Sequence, residues 1–166
     1  MKNTKNNMSI RKMSAADIPE VSALLAALHR THREFRPDIY IKTDKPFAEA
    51  DLVREIDNPD RIIIIAECES CVAGFCMIIN KTPQNPLCIN RKIAFIEAIY
   101  VREDMRRRGI GGELYATALE KAKNEGSDSI ELMVSYLNKT ALRFYERMGM
   151  KIKSSVMVKF KAGFLI

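Results

Sequence analysis

The sequence predicts a single α/β layered domain in a chain of 166 residues. Three observations carry that expectation. Apolar residues recur at helical spacing between residues 18 and 28, a pattern that buries one helix face. Between residues 61 and 101 the pattern changes to β-branched and apolar runs, as in strands. Beyond residue 101, two helical segments alternate with short strands, which points to helices packed on a sheet. The length and the 47% apolar fraction suffice for one real core.

The elements follow in order. The first eight residues read as a disordered tail, and residues 9–166 as the domain. Ser9–Lys12 is a short first strand. Ser14-Ala15-Ala16-Asp17 has the form of a capping box, with Asp in place of Glu, so a helix begins here. Ile18, Val21, Leu24, Leu25 and Leu28 form its buried stripe, and Pro37 marks its end. Pro46 suits the first turn of a second helix, with Leu52, Val53 and Ile56 on its apolar side and Asn58-Pro59-Asp60 as its stop. Arg61–Glu67 and Val72–Asn80 read as a hairpin, and Lys81–Asn90 as a loop. Lys92–Val101 is almost continuously apolar, which predicts a central strand covered on both faces. Gly109 opens a helix to about Glu125, with Gly126 as terminator. Ile130–Val134 is a strand, Asn138–Met148 a helix ended by Gly149, and Val156–Phe160 a last strand.

Composition excludes several function classes. The net charge of +6 sits at the ends: residues 1–12 and 151–166 each hold four basic and no acidic side chains, leaving 19 basic and 21 acidic in the body. A body of net −2 does not favour a phosphate-tracking groove, so no nucleic-acid partner is expected. No run approaches the roughly 20 apolar residues of a membrane span; the longest is Ile62–Ile65 with Ala66. Met1–Lys12 is polar and basic with no apolar core, unlike a secretory signal. Four cysteines do not make a disulfide scaffold. The expectation is a cytoplasmic protein without membrane attachment.

Chemistry concentrates in Tyr100–Tyr115, YVREDMRRRGIGGELY. A strand passes through a charged turn into Gly109-Ile110-Gly111-Gly112 and a helix. Glycines at a helix entry let the backbone approach an anion, whose charge the free N–H groups and the helix dipole attract. Arg106, Arg107 and Arg108 add charge beside them; a surface turn with solvated arginines is the plainer alternative. A P-loop requires Lys and Ser/Thr where Glu113 and Leu114 follow Gly112, and a dinucleotide fingerprint requires glycine at Leu114. Both fail. Arg106-Arg107-Arg108-Gly109-Ile110-Gly111 fits Arg-x-x-Gly-x-Gly, and Asn138-Lys139-Thr140-Ala141-Leu142-Arg143-Phe144-Tyr145-Glu146-Arg147-Met148-Gly149 fits Asn-x-x-Ala-x-x-x-Tyr-x-x-x-Gly.

With these two motifs, in this order, the sequence resembles the GNAT family of N-acetyltransferases over about residues 9–160. The resemblance implies a mixed, mostly antiparallel sheet of six or seven strands with about four helices, and two parallel neighbouring strands that splay apart. It implies acetyl-CoA as co-substrate, with the pyrophosphate cradled by Arg106–Gly112 and the pantetheine arm along Ile99, Tyr100 and Val101. Asn138 contacts CoA by the same analogy, or serves as a plain helix N-cap; the two are compatible. CoA carries about four negative charges and needs a cationic nest rather than a positive protein.

Acetyl transfer to an amine needs the amine neutral and the leaving thiolate protonated. Glu97 is the one charged side chain between Ala94 and Val101, and a carboxylate inside an apolar strand is costly without water or a partner. It reads as a base acting through water, as an anchor for the ammonium, or as an outward-facing strand residue. Tyr145 falls at the family's general-acid position, and its alternative is aromatic packing with Phe144 and Met148. The resemblance places an acceptor wall after the first helix, where His29, His32, Arg36 and Tyr40 cluster with Asp38; the alternative is a polar helix end. Cys68-Glu69-Ser70-Cys71 has CxxC spacing but falls at the hairpin turn, and no second pair supports a metal site. The sequence-based reading is therefore direct acetyl transfer to an amine-bearing acceptor, small molecule or protein, without metal. A non-catalytic acyl-CoA-binding sensor or regulatory domain of the same fold is the runner-up. The apolar segment Phe160–Ile166 could pair across a homodimer.

Overall fold

The computed structural model describes residues 8–158. Its elements run β1 (Met8–Lys12), α1 (Ile18–Phe35), α2 (Glu49–Asp57), β2 (Arg61–Cys68), β3 (Cys71–Lys81), β4 (Ile93–Val101), α3 (Ile110–Asn124), β5 (Ser129–Leu132) and α4 (Lys139–Arg147). The strands form one sheet in chain order. All pairs are antiparallel except β4–β5, which is parallel. The described residues thus hold five strands where six or seven were expected. Val156, Met157 and Val158, the described part of the expected last strand, are irregular and exposed, and pair with no strand among the described residues. The remainder of that strand, the Phe160–Ile166 segment and residues 1–7 of the expected tail lie outside the described residues, while Met8 already belongs to β1.

Alternation along the strands feeds two cores. Ile63 and Ile65 of β2, with Phe75 and Met77 of β3, pack against Val21, Leu24 and Leu25 of α1 and Leu52 of α2. Ile62, Ile64, Cys76, Ile78, Ala94 and Ile96 pack on the other face against Ile110, Leu114, Tyr115 and Ala118 of α3. The stripe predicted for α1 is the buried one. In α2 only Leu52 is fully buried, and Val53 is exposed because the short helix turns that residue away from the sheet. The expected capping box forms in part and opens a 3-10 turn, Ala15–Asp17, ahead of α1. The Asp17 carboxylate accepts from the Ser14 N–H and hydroxyl at 2.8 Å each, and from two Arg11 nitrogens at 2.8 Å. The Arg11 guanidinium holds this buried carboxyl well below the usual carboxylate range.

The hairpin turn is two residues long, with Glu69 and Ser70 both at positive φ (52° and 63°), as a type I′ connection demands. The CxxC pair flanks it, and the Cys71 thiol donates to the Cys68 carbonyl at 3.0 Å. β4 lies inside the sheet between β3 and β5 and sends residues into both cores, as expected of a strand covered on both faces, with β3 in the middle of the sheet. At Gly74 of β3 a Cβ would stand 2.6 Å from the Tyr100 carbonyl oxygen, so glycine lets β3 and the end of β4 approach closely. β4 has its β5 partner only from Ile93 to Ile96; from Glu97 onward that side of the strand is unpaired. This opening positions the site.

Candidate active site

The opening lies at the entry to α3. Backbone at Arg107 (φ 67°) and Gly109 (φ 84°) is left-handed and turns the chain sharply into the helix. Gly109 is the N-cap and has no side chain with which to cap it. The N–H groups of Ile110, Gly111 and Gly112 therefore have no acceptor among the described residues. Such a first turn attracts an anion through its free donors and the helix dipole. The Ile110 side chain is buried in the core, leaving only its backbone to the site. A Cβ at Gly112 would meet nothing within 4 Å, whereas one at Gly111 would lie 3.4 Å from Phe144 Cε2. Gly112 is thus the position that faces open space, and Gly111 faces α4.

The three arginines differ. Arg106 stacks 5.3 Å from the Tyr100 ring, and its Nε donates to the Val101 carbonyl at 3.1 Å, bracing the turn against β4. Arg107 and Arg108 are exposed beside the first turn. Tyr100 is itself buried on the α1 face, and Ile99 and Val101 pack toward α3, so these three bring backbone rather than side chains to the opening.

Glu97 is placed by a β-bulge. Met77 pairs with Ala98 and Ile78 with Ile96, leaving Glu97 as the extra residue of β4. The bulge shifts the phase of the strand: Ala94 and Ile96 face α3, and so do Ile99 and Val101. Glu97 and Ala98 line a cleft of about 320 Å³ on the opposite face, with Leu25, Phe47, Asp51, Leu52, Arg54, Glu55, Arg61 and Met77. The Arg61 guanidinium pairs with both Glu97 and Glu55. Asp51 pairs with Arg54. Three carboxylates against two guanidinium groups leave this wall one negative charge. Arg61 and Glu55 were not legible as site residues: a charge at the start of a strand and another at the end of a helix are ordinary features.

Tyr145 approaches from the α3 face. Asn138 caps α4 by accepting from the Ala141 N–H at 3.0 Å, which establishes its N-cap role. The α4 residue Phe144 then makes edge contacts with Tyr115 of α3 (6.5 Å between centroids) and with Tyr145 (5.2 Å). The Tyr145 hydroxyl has no hydrogen-bond partner among the described residues. Burial pushes its pKa up, with Cys76 and Tyr115 adding to the shift, so the phenol holds its proton at neutral pH. Cys76 is itself buried and its thiol is pushed up to about 12. Glu97 thus lies on the cleft side of the sheet, and Tyr145 on the α3 side near Cys76 and Tyr115.

His29, His32, Arg36 and Tyr40 cluster as expected, but around one another. Tyr40 packs against His29 (5.8 Å) and His32 (5.3 Å), His29 Nε2 bonds the Ile41 carbonyl at 2.8 Å, and Arg36 pairs with Asp38 at 2.7 Å. Burial, with His29 nearby, lowers the pKa of His32. None of the four is among the residues lining the Glu97 cleft. Among the described residues, no group of three or more His, Cys, Asp or Glu side chains is arranged to hold a metal ion, and no helix is long and apolar enough to cross a membrane.

The sequence profile of the acetyltransferase (GNAT) family matches residues 25–150, which include the bulged strand, the α3 entry and α4. The chain belongs to this family. Relatives include L-ornithine N5-acetyltransferase of Arabidopsis thaliana, 31% identical over 74% of this chain, and an uncharacterized N-acetyltransferase of Methanocaldococcus jannaschii, 44% identical over 40% of it. The matched stretches span 51% and 29% of those proteins, so this chain corresponds to about half or less of each. The BH1408 protein from Bacillus halodurans, solved as a tetramutant, superposes with a TM-score of 0.88 at 24% identity over 92% of this chain and 99% of its own. An aminoglycoside acetyltransferase, AAC(6')-Iy, solved with the bisubstrate analog CoA-S-monomethyl-acetylneamine, superposes with a TM-score of 0.71 at 19% identity over 93% of this chain and 98% of its own. The GNAT co-substrate is acetyl-CoA. Uncapped donors, an open Gly112 and two exposed arginines at the α3 entry fit its phosphates.

Proposed function

We propose that this GNAT chain transfers the acetyl group of acetyl-CoA directly to a primary amine. One observation carries the reading: β4 loses its parallel partner after Ile96, beside a cleft that holds the Glu97 carboxylate, while on the α3 side the buried Tyr145 phenol keeps its proton near Cys76 and Tyr115. In the proposed reaction the amine enters from the Glu97 cleft, whose single excess negative charge attracts an ammonium. The amine nitrogen attacks the thioester carbonyl, and its proton leaves toward Glu97 directly or through water. The C–S bond breaks, and Tyr145 gives its proton to the departing thiolate. A sensor domain would need neither group, so their placement favours the enzyme over an acyl-CoA-binding regulator.

Ornithine, tyramine and neamine span the acceptor chemistry in the names of similar proteins. Incubation of each with acetyl-CoA should release free CoA thiol and yield acetylated amine with at least one of them. Binding of acetyl-CoA without thiol release above hydrolysis in the whole panel would favour the sensor.

The α3 entry is tested by Gly112→Leu. At acetyl-CoA concentrations 100-fold above its Kd, binding stabilises by about 2.7 kcal/mol, a Tm rise of roughly 5–10 °C for a domain this size. Leucine at 112 fills the open space over the free N–H groups and should abolish that rise, while the ligand-free Tm stays close to wild type. A full rise in the variant places the phosphates elsewhere.

A further inference from the structure

We propose that Arg61 is a positioning residue that holds Glu97 in its working orientation, and that Glu55 of α2 anchors Arg61 for that task. The inference rests on the reading of Glu97 given above and extends it to two residues on other elements. A glutamate at a bulge has backbone placed by the sheet but a long side chain with three rotatable bonds, and an orientation good enough for chemistry requires a partner. Arg61 supplies one. It is the first residue of β2, its backbone fixed by pairing with Ile79 of β3 and by donation from its N–H to the Asn58 carbonyl at 3.0 Å. Alternation in β2 sends its side chain to the same face as Ile63 and Ile65, the face of the cleft.

The Arg61 side chain is only 14% exposed, against 29% for Glu55 and 33% for Glu97. Its Nε meets the Glu55 carboxylate and its Nη1 the Glu97 carboxylate. A planar fork can serve two carboxylates in fixed directions, which a lysine ammonium on a flexible stem does not do. Glu55 pairs with the guanidinium on its Nε side and holds that charge in the cleft, and Nη1 donates to Glu97 Oε2 and sets where it lies.

A double-mutant cycle separates positioning from plain structural support. Arg61→Met should lower activity on the order of 100-fold with the best amine of the ornithine, tyramine and neamine panel, the scale expected when a reacting group is misplaced by about 1 Å. It should alter whichever parameter Glu97→Gln alters, kcat or the acceptor KM, and leave the acetyl-CoA-dependent Tm rise unchanged. In the Glu97→Gln background, Arg61→Met should cost little more, because its effect runs through Glu97. Arg61→Lys keeps the charge and should recover only part of the loss; it also serves as the test variant if methionine strands Glu55 and prevents folding, since its own loss should likewise vanish in the Glu97→Gln background. Additive losses in the double variants, or full activity in Arg61→Lys, would overturn the proposal. If Glu97→Gln alone is fully active, the reading of Glu97 itself has failed, a result distinct from additivity.

Discussion

Tyr145→Phe is expected to lower kcat by about 100- to 10,000-fold, the range that general acids contribute, with the acetyl-CoA-dependent Tm rise unchanged. The substitution removes one oxygen and keeps the ring in its edge contact with Phe144, so the α4–α3 packing survives and the chemistry alone is affected. The unpartnered phenol holds its proton because burial disfavours the phenolate. A departing thiolate offers that proton its destination. Cys76 nearby does not substitute for it as donor, because its side chain is fully enclosed by the core. A kcat loss under about tenfold would mean that Tyr145 mainly packs. The measurement is steady-state thiol release at saturating acetyl-CoA, paired with thermal melts.

The fold was legible wherever one physical signal dominated. Helical spacing gave α1, the Gly126 and Gly149 terminators take the positive φ (72° and 84°) that end α3 and α4, and Asn138 caps α4. The motif turn was legible because glycine at 109 and 112 answers a need for backbone exposure. What escaped was phase. In β4 apolar residues face both layers, so alternation carries no sign of a bulge, and the sequence alone cannot tell that Glu97 and Ala98 share a face. The Arg61–Glu97 ion pair joins positions 36 residues apart, a separation no local pattern records. At His29–Tyr40, chemically versatile side chains near one another suggested a substrate wall; the structure brings the His29, His32 and Tyr40 rings together beside the Arg36–Asp38 pair, apart from the lining of the Glu97 cleft.

Glu97→Gln is expected to slow transfer by about 100- to 10,000-fold at neutral pH if the carboxylate removes the amine proton. The pH dependence then identifies its role. An alkylamine has a pKa near 10, so at neutral pH almost all of the acceptor is ammonium and depends on the enzyme to lose its proton. Raising the pH supplies neutral amine from solution, and the defect of the variant should shrink accordingly, with wild type gaining less over the same range. Glutamine keeps the size of the side chain and can still accept from Arg61, so the bulge and cleft should persist, and an unchanged Tm checks this. An ammonium anchor behaves differently. Removing one carboxylate from a wall with a single excess negative charge leaves it neutral, so the acceptor KM should rise while kcat stays nearly intact. Base and anchor thus separate in the same data, the first as a kcat loss recovered by alkali, the second as a KM increase. A pH–rate profile matching wild type in shape and height would remove Glu97 from the mechanism, and with it the reason for a lone acidic residue on the bulge of β4.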